Sequence, residues 1–159
     1  NSGAWCWYNN DSVTYGVYGK LYNWYAVTDP RGLAPAGWHV PSDHEWNVLT
    51  KCLDNTADTM CSCASSTIAG GMMKEVGYSH WQFPNTAATN SSGYTALPGG
   101  LRSNSGTFFY GGTSSVWWTT TASTASYAWN RSIYYADGAL TRGYDNYFGS
   151  GFSVRVVKD

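Results

Sequence analysis

Residues that favour long helices are scarce in this chain. One Gln and two Glu occur among its 159 residues, whereas Gly, Ser, Thr and Asn together account for 63. These four residue types favour turns, caps and loops over helix interiors. Because soluble domains usually span about 100–200 residues, we expect residues 1–159 to fold as a single domain of short elements and long loops.

The charge and the aromatic content exclude several classes of protein. Lys and Arg number 9, Asp and Glu number 10, 12% of residues are charged and 17% are aromatic. Disordered chains have few aromatics and high net charge, electrostatic nucleic-acid binders need basic patches, and a membrane helix needs roughly 18–20 apolar residues. We therefore expect an ordered domain without nucleic-acid partners or membrane insertion. Its surface is expected to be rich in Tyr, Trp, Ser, Asn and Gly, a composition typical of antibody paratopes.

The four cysteines suggest an oxidising compartment, because their number is even and the chain has few charges. They are Cys6, Cys52, Cys61 and Cys63. Cys61 and Cys63 are separated by one residue, which we interpret as too close for a bridge between them. Two bridges would then join each of them to Cys6 or Cys52, in either of two connectivities. A zinc site is the alternative, but the spacing of Cys61 and Cys63 lacks the usual spacer of two to four residues.

The clearest helix signal is a capping box. Ser42 can accept the backbone N–H of Glu45, and the Glu45 side chain can accept the backbone N–H of Ser42. Three apolar residues follow on one helical face: Trp46, Leu49 and Leu53. We predict a helix that begins after Ser42 and ends near Cys52, and a second, short helix over Ala69–Glu75, which its two glycines weaken.

The C-terminal half is predicted to be β structure. Short β segments are expected over five ranges: Gly106–Tyr110, Val116–Thr121, Tyr127–Tyr135, Ala139–Arg142 and Phe152–Val157. Between two of them, Asp137-Gly138 is the signal of a tight type I′ hairpin turn.

Alternation assigns the two faces of the predicted strand Tyr127–Tyr135, because successive side chains point to opposite sides. One face is predicted to point into the core: Trp129, Arg131, Ile133 and Tyr135. The other is predicted to face solvent: Asn130, Ser132 and Tyr134.

No group of residues predicts catalysis. His39, His44 and His80 are not at metal-ligand spacing, and His39, between Trp38 and Val40, is interpreted as a core residue. Acidic residues are sparse and form no acid–base pair. The chain also has no Gly-x-Ser-x-Gly elbow and no phosphate-binding glycine loop. We predict that the protein is not an enzyme.

A polar run near the C-terminus carries three aromatic residues without alternation. It reads Tyr144-Asp145-Asn146-Tyr147-Phe148-Gly149-Ser150 and is bounded by Gly143 and Gly151. Aromatic rings on a polar loop are typical of a binding surface. The alternative is an ordinary hairpin and loop whose rings complete the core.

Five blocks of sequence resemble a known family and cover nearly the whole chain. They are YGKLYNWYAV at Tyr18–Val27, PAGWHVPSDHEW at Pro35–Trp46, ALPGGLR at Ala96–Arg102, WWTTT at Trp117–Thr121 and GFSVRVVKD at Gly151–Asp159. In this order they resemble the Fibrobacter succinogenes major paralogous domain family, which is found mostly on bacterial surface proteins, lipoproteins and adhesins.

The resemblance implies an α+β, C-type-lectin-like fold shared with formylglycine-generating enzymes. Such a fold has one or two short helices, a short antiparallel sheet and long irregular loops. The catalytic cysteines of those enzymes have no counterpart here, so their activity is not carried over. Calcium is often bound in this fold through carbonyl and Asn/Asp oxygens, but no dense Asp/Asn loop assigns ligands here. We therefore predict no cofactor and leave calcium open.

The cysteines depart from the pattern of the family. Many members carry cysteines at the positions of Ala34 and Val156, as expected if those two pair in relatives. The cysteines of this chain are then expected to staple the insertion Cys52–Cys63.

Related domains also serve as variable proteins of diversity-generating retroelements, in which mutagenised adenines scatter Asn codons into other residue types. Lys, Glu, Gln, Met and Trp cannot be reached from Asn codons in this way. The stretch Thr119–Gly151 lacks all five except Trp129, which we interpret as framework. The resemblance therefore implies that residues 117–159 contain a variable, ligand-binding segment.

The family pattern and the strand alternation agree on the candidate site. Positions between the framework residues of the family coincide with the predicted solvent face and the aromatic run. The predicted ligand-binding residues are Asn130, Ser132, Tyr134, Asp137, Thr141, Tyr144, Asp145, Asn146, Tyr147 and Phe148.

These residues predict a binding domain as the function. We expect an extracellular adhesin on a bacterial surface or a phage tail, with a protein or glycan on another surface as its partner. The alternative is a carbohydrate-binding module, which a planar aromatic platform beside Asn and Asp would distinguish. The sequence predicts neither the ligand nor the oligomeric state.

Overall fold

The structure is a computed structural model that describes residues 2–159, apart from the side chain of Asp145. Its α-helices are α1 (Ser12–Tyr15), α2 (Trp24–Val27), α3 (Asp43–Leu53) and α4 (Ala69–Met73), and short 3₁₀ turns cover Tyr8–Asn10 and Gly16–Tyr18. Its strands are β1 (Trp5–Cys6), β2 (Leu21–Tyr22), β3 (Trp38–His39), β4 (Ala64–Ser66), β5 (Gly99–Arg102), β6 (Phe108–Gly111), β7 (Ser114–Ala122), β8 (Tyr127–Tyr134), β9 (Leu140–Tyr147) and β10 (Val157–Lys158).

One six-stranded sheet dominates the fold, in the order β4-β9-β8-β7-β5-β6. Its pairs are antiparallel except β5 and β7, which run parallel. Two small antiparallel ladders join β1 to β2 and β3 to β10. The arrangement confirms the predicted α+β class, with short helices and a largely antiparallel sheet.

Helix α3 confirms the predicted capping box. The Ser42 hydroxyl accepts the Glu45 N–H at 3.3 Å, and Glu45 Oε2 accepts the Ser42 N–H at 2.8 Å. The helix runs to Leu53, one residue beyond the predicted end, and buries Trp46 in the core.

The second predicted helix forms as α4, and its glycines have a packing reason. A Cβ atom on Gly70 would lie 2.0 Å from the Ala139 carbonyl oxygen, and one on Gly71 would lie 2.4 Å from that of Ala87. The close approach of two other backbone segments therefore requires glycine here, although glycine weakens the helix.

Hydrophobic clusters cover both faces of the sheet. Trp117 packs with Trp46, Ile133 and Leu140 on one side, together with Met73 of α4. On the opposite side, the cluster consists of Val27, Val40, Val116, Trp118, Ala128 and Phe152. The neighbouring residues Trp117 and Trp118 thus serve different halves of the core, as alternation requires.

This double coverage contradicts the predicted solvent exposure of Asn130. Asn130 is 3% exposed and pairs with Trp118 across the β7–β8 ladder. It belongs to the face predicted to meet solvent, but the second cluster covers that face in the middle of the sheet. The prediction holds for Tyr134, which is exposed at the end of the strand, while Ser132 is half-buried.

The aromatic run is strand rather than loop over its first four residues. Strand β9 extends to Tyr147, whereas the predicted β segment ended at Arg142. Its register shifts beside Ala128 and Asn130, which pair with Asn146 and Gly143. One residue of β8 thus opposes two of β9, and this bulge removes the alternation that would have revealed a strand.

The connection between β8 and β9 is longer than predicted. Five residues, 135–139, link the strands in place of a two-residue type I′ turn. A type I′ turn needs a positive φ at both central residues, and Gly138 does not have one. Tertiary contacts hold the loop, because Gly71 N–H donates to the Gly138 carbonyl at 3.0 Å.

The cysteine prediction was wrong. Cys61 and Cys63 form a disulfide with each other, and their Cα atoms are 5.3 Å apart, within the range that a bridge spans. Within the described part of the chain, Cys6 and Cys52 are free thiols, so neither expected connectivity forms. A bend at the single intervening residue brings the two side chains together.

The predicted last strand is also fragmentary. Residues Gly151, Phe152 and Ser153 form isolated bridges to Arg102, Tyr22 and Trp117, and regular pairing resumes only at β10.

Candidate ligand-binding surface

Three tyrosines line an open cleft at one end of the main sheet. The cleft has a volume of about 370 Å³ and is bounded by Thr124, Tyr127, Tyr144 and Tyr147. Tyr127 and Tyr147 face each other across the β8–β9 ladder, with ring centres 4.5 Å apart. Tyr144 and Tyr147 are 49% and 48% exposed, so their rings are open to a ligand. We call these four residues the tyrosine cleft.

A second depression adjoins the tyrosine cleft at Tyr147, which lines both. Its volume is about 300 Å³, and it is lined by Tyr25, Asn104, Ala125, Ser126, Tyr147, Phe148 and Gly149. Tyr147 therefore belongs to both hollows, and its half-exposed ring is open to a ligand.

Trp129 supports the cleft from within the sheet. It lies two residues after Tyr127 on β8, and its ring centre is 5.7 Å from that of Tyr144. Trp129 also contacts Arg142, whose guanidinium carbon lies 3.4 Å from the Trp129 ring centre. Trp129 is half-buried, so it links the exposed tyrosines to a buried charge.

That charge belongs to a buried ion network under the sheet. Asp43, the first residue of α3, accepts from Arg131 Nη1 at 2.8 Å and from Arg142 Nη2 at 2.7 Å. Arg131 also donates to Asn47 Oδ1 at 2.6 Å. Burial opposes ionisation of Asp43, but hydrogen bonds from Arg142 and Arg131 outweigh it and hold the pKa of this carboxyl below its usual range. The position at a helix N-terminus also favours the carboxylate.

The same network reaches the disulfide loop. Arg142 Nη1 donates to the Met60 and Cys61 carbonyl oxygens at 3.3 and 3.4 Å, and the Arg142 N–H donates to the Cys63 carbonyl at 2.9 Å. The cleft therefore rests on strands that are tied to α3 and to the loop before β4.

Phe148 anchors the second depression. Its ring stacks on Trp24 with centres 4.1 Å apart, and it meets Tyr25 edge-on at 5.8 Å. The Phe148 carbonyl accepts the Trp24 N–H at 2.9 Å. Phe148 is half-buried against the second core cluster. The alternative interpretation of the aromatic run, in which its rings complete the core, therefore applies to this residue.

Comparison with known sequences identifies the family. The family model of the Fibrobacter succinogenes major domain matches residues 1–158. The chain belongs to this family. No curated protein and no solved structure matches it.

The candidate residues of this Fibrobacter succinogenes major domain do not form one surface. Tyr144 and Tyr147 line the tyrosine cleft, and Asn146 lies half-buried between them on β9. Tyr134 and Asp137 lie at the opposite end of β8, roughly 20 Å away for a strand of this length. The side chain of Asp145 lies outside the described residues.

The remaining candidates occupy the middle of the domain's sheet. Ser132 and Thr141 pair across the β8–β9 ladder and are half-buried. Asn130 is buried, and a Cβ atom on Gly143 would lie 2.8 Å from its Oδ1. Asn130 and Gly143 therefore fit each other as packing partners, which removes Asn130 from the accessible surface.

Sequence reasoning missed two residues of the cleft. Thr124 lies in the β7–β8 loop, and Tyr127 begins β8. Tyr127 shares a strand face with Trp129 by alternation, and because that face was predicted to point into the core, alternation gave no signal for a binding role of Tyr127. Thr124 had no signal beyond a polar turn.

Nothing in the described residues gathers metal ligands. No three His, Cys, Asp or Glu side chains of residues 2–159, Asp145 aside, lie together as in a metal site. Over the same residues, no helix is long and apolar enough to cross a membrane.

Proposed function

We propose that this domain is a non-enzymatic binding module whose tyrosine cleft recognises a protein or glycan on another surface. The observation that carries the proposal is the combination of two half-exposed tyrosines, Tyr144 and Tyr147, with a buried network of ion pairs that supports their strands. In that network Asp43 pairs with Arg131 and Arg142. Exposed aromatic side chains on a rigid scaffold are the usual anchors of a binding surface.

Pre-organisation of the tyrosine rings favours binding at the cleft. A tyrosine has two side-chain torsions, so it buries a large ring at low entropic cost. Contacts with Tyr127 and Trp129 already restrict the rings of Tyr147 and Tyr144. A ligand then loses less free energy in ordering the site.

The shape of the cleft favours a protein side chain as its occupant. The rings of Tyr127 and Tyr147 are inclined by 39°. They form a wedge, whereas a sugar ring packs its C–H face on a flat platform. With their centres 4.5 Å apart the two rings touch, so an aliphatic or aromatic side chain would pack on their open side, beside Tyr144.

We also propose that the fold is C-type-lectin-like and that residues 117–159 are diversified. Short helices around an antiparallel sheet with long loops support the fold, and family membership supports the relation to retroelement variable proteins. The proposed variable segment contains the cleft residues Tyr127, Tyr144 and Tyr147. It also contains Arg131 and Arg142, whose buried ion pairs would support the segment as unvaried framework. The implied location is a bacterial surface or a phage tail.

The diversification proposal has a direct genomic test. DNA beside the gene should contain a near-repeat of the segment that encodes residues 117–159, differing mainly at adenines, next to a reverse-transcriptase gene. A genomic neighbourhood with neither feature contradicts diversification and leaves the binding proposal to be tested separately.

Binding is tested with the labelled domain on intact bacterial cells and on a glycan array. We expect binding to at least one cell surface or glycan, and loss of that binding in Tyr144→Ala and Tyr147→Ala. Tyr78→Ala is the matched control, because Tyr78 is exposed but lies outside the cleft. Binding that survives in the double variant Tyr144→Ala/Tyr147→Ala would contradict the proposal, as would equal loss in the control.

A further inference from the structure

A separate cavity lies beside the first two strands. Its volume is about 400 Å³, and its lining residues are Gly3, Ala4, Trp5, Tyr22, Ala26, Asp29, Arg31, Gly32 and Leu33. It shares no lining residue with the tyrosine cleft. A cavity of this volume falls in the range of small-molecule sites. We call it the Trp5 cavity.

Two aromatic rings form one wall of the Trp5 cavity. Trp5 and Tyr22 are directly opposite each other in the antiparallel β1–β2 ladder. Directly paired residues project from the same face of a ladder, which explains why both line the cavity. Trp5 is 53% exposed, so its indole is available to a ligand.

Lys20 holds the indole in place. Its Nζ lies 3.7 Å from the centre of the Trp5 ring, and Trp7 meets Trp5 edge-on at 6.0 Å. Neither Lys20 nor Trp7 lines the cavity. The ring is therefore positioned by residues outside the cavity and can present its remaining surface to the inside.

A charged pair supplies the polar part of the lining. Asp29 Oδ1 accepts from Arg31 N at 2.9 Å and from Arg31 Nε at 2.8 Å, and Asp29 Oδ2 accepts from Arg31 Nη2 at 2.6 Å. Each carboxylate oxygen has two lone pairs, so Oδ2 retains one acceptor position. The Arg31 side chain is 86% exposed and has further N–H donors for a ligand.

The charges of Asp29 and Arg31 cancel, so the lining of the cavity carries no net charge; the Lys20 ammonium lies outside the lining, against the Trp5 ring. The aromatic wall of the cavity offers a flat apolar surface. A hexopyranose matches both properties, because one side of the ring presents C–H groups and the rim presents hydroxyls that both donate and accept. A fixed carboxylate–guanidinium pair can accept from one hydroxyl and donate to its neighbour.

We propose that the Trp5 cavity binds a neutral sugar ring, with Trp5 as the stacking platform and Asp29 and Arg31 as the hydroxyl partners. This site is independent of the tyrosine cleft. It places the planar platform and the neighbouring carboxylate that a carbohydrate-binding module needs at the opposite end of the sequence from the predicted site.

Saturation-transfer NMR on the whole domain tests the proposal. The probes are the methyl glycosides of glucose, mannose and galactose, with N-acetylglucosamine as a fourth neutral sugar and N-acetylneuraminic acid as an anionic one. At millimolar concentration we expect transfer to the ring protons of at least one neutral sugar. Trp5→Ala and Asp29→Asn should each weaken its affinity roughly tenfold, the effect of losing about 1.4 kcal/mol.

The controls separate sugar binding from folding and from the general effect of removing an exposed ring. Trp5→Phe keeps a ring and should retain part of the affinity, while Tyr78→Ala, which removes an exposed ring outside both sites, should change nothing. Far-UV circular dichroism of each variant should match that of the unchanged protein, because the residues altered are exposed or at the surface.

Three outcomes would overturn the proposal. One is no transfer to any of the four neutral sugars. Another is transfer that persists unchanged in Trp5→Ala and Asp29→Asn. The third is binding of the anionic sugar alone. If the Trp5 cavity binds no sugar, the expected effects of the tyrosine-cleft variants on cell-surface or glycan binding do not change. The two proposals are therefore tested separately.

Discussion

The guanidinium carbon of Arg142 lies 3.4 Å from the centre of the Trp129 ring. The same guanidinium group pairs with Asp43, which also holds the fully buried Arg131. This contact joins the exposed tyrosines of the cleft to the N-terminus of α3. The stability of the cleft should therefore depend on a carboxylate that no ligand touches.

Asp43→Asn should destabilise the fold strongly. It leaves two largely buried guanidinium groups without their carboxylate, and breaking a buried pair in this way costs about 3–5 kcal/mol. For a chain of this size, the melting temperature should fall by roughly 10 °C or more. Differential scanning calorimetry measures the change directly.

Asp11→Asn is the matched control for that experiment. Asp11 caps α1 by accepting from the Val13 and Thr14 N–H groups. Asn caps helices about as well as Asp, so the melting temperature should stay within about 2 °C. A similar loss in both variants would mean that an Asp→Asn change at a helix start has this cost by itself and that the ion network contributes little.

Phe148→Ala should lower stability, in contrast to the cleft tyrosines. Phe148 stacks on Trp24 and packs against the second core cluster. Removing a half-buried phenyl ring should cost about 2–3 kcal/mol, below the range for fully buried ones. Tyr147→Ala removes a more exposed ring and should cost about 1 kcal/mol. Urea unfolding of both variants compares them, and equal losses would contradict the separate roles.

Local signals in the sequence were sufficient for the elements that local interactions decide. The Ser42–Glu45 capping box predicts α3 because both of its hydrogen bonds join residues that are only three positions apart in the sequence. Alternation placed Arg131 and Ile133 in the core correctly, because β8 is regular there. The motifs identified the family, but they carry no geometry.

Long-range packing decides the features that sequence reasoning missed. Asn130 is buried because hydrophobic clusters cover both faces of the sheet, whereas alternation alone implies one wet face. The bulge in β9 hides a strand within the aromatic run. The loop at Gly138 follows its contact with Gly71 rather than the usual Asp-Gly turn. None of these contacts leaves a periodic trace in the sequence.

The pairing of β3 with β10 should depend on pH. His39 Nδ1 lies 2.6 Å from Asp159 Oδ1, and His39 Nε2 lies 2.6 Å from Glu45 Oε1. Hydrogen bonds to Asp159 and then to Glu45 raise the pKa of His39 above its usual 6.5. For Glu45, burial opposes ionisation, but hydrogen bonds from Ser42 and His39 hold the carboxyl pKa below its usual 4.5.

The direction of the effect follows from these two shifts. A raised histidine pKa adds stability that is fully present below the usual pKa and is lost as the pH rises through the folded one. A lowered carboxyl pKa adds stability that is present above the usual pKa and is lost as the pH falls through the folded one. Both contributions should therefore be present between about pH 4.5 and 6.5.

His39→Gln isolates the histidine contribution. Urea unfolding at about pH 6 and about pH 9, on either side of the histidine titration, should show the unchanged protein more stable than the variant at the lower pH. The difference should shrink at the higher pH. A difference that stays constant between the two pH values would show that the His39 charge contributes nothing.

Lys74→Met should loosen the end of the sheet that lies away from the tyrosine cleft. Lys74 is fully buried, and its Nζ donates to the carbonyls of Thr86, Tyr134 and Asp137 at 2.7, 3.1 and 2.8 Å. Burial lowers the pKa of Lys74 to about 8, so the ammonium with its three donors is the main form at neutral pH. Methionine fills similar space without donors, and loss of three hydrogen bonds should cost about 2–4 kcal/mol.

Hydrogen exchange locates the effect of Lys74→Met. The Gly71 and Thr86 N–H groups, which donate to the Gly138 and Tyr135 carbonyls, should exchange faster, because the loop that accepts them loses its anchor. Lys51→Met is the control, because Lys51 is exposed and should change stability by less than about 0.5 kcal/mol. Unchanged exchange at Gly71 and Thr86 in the Lys74 variant would show that packing alone holds the loop, and that the buried ammonium is not its anchor.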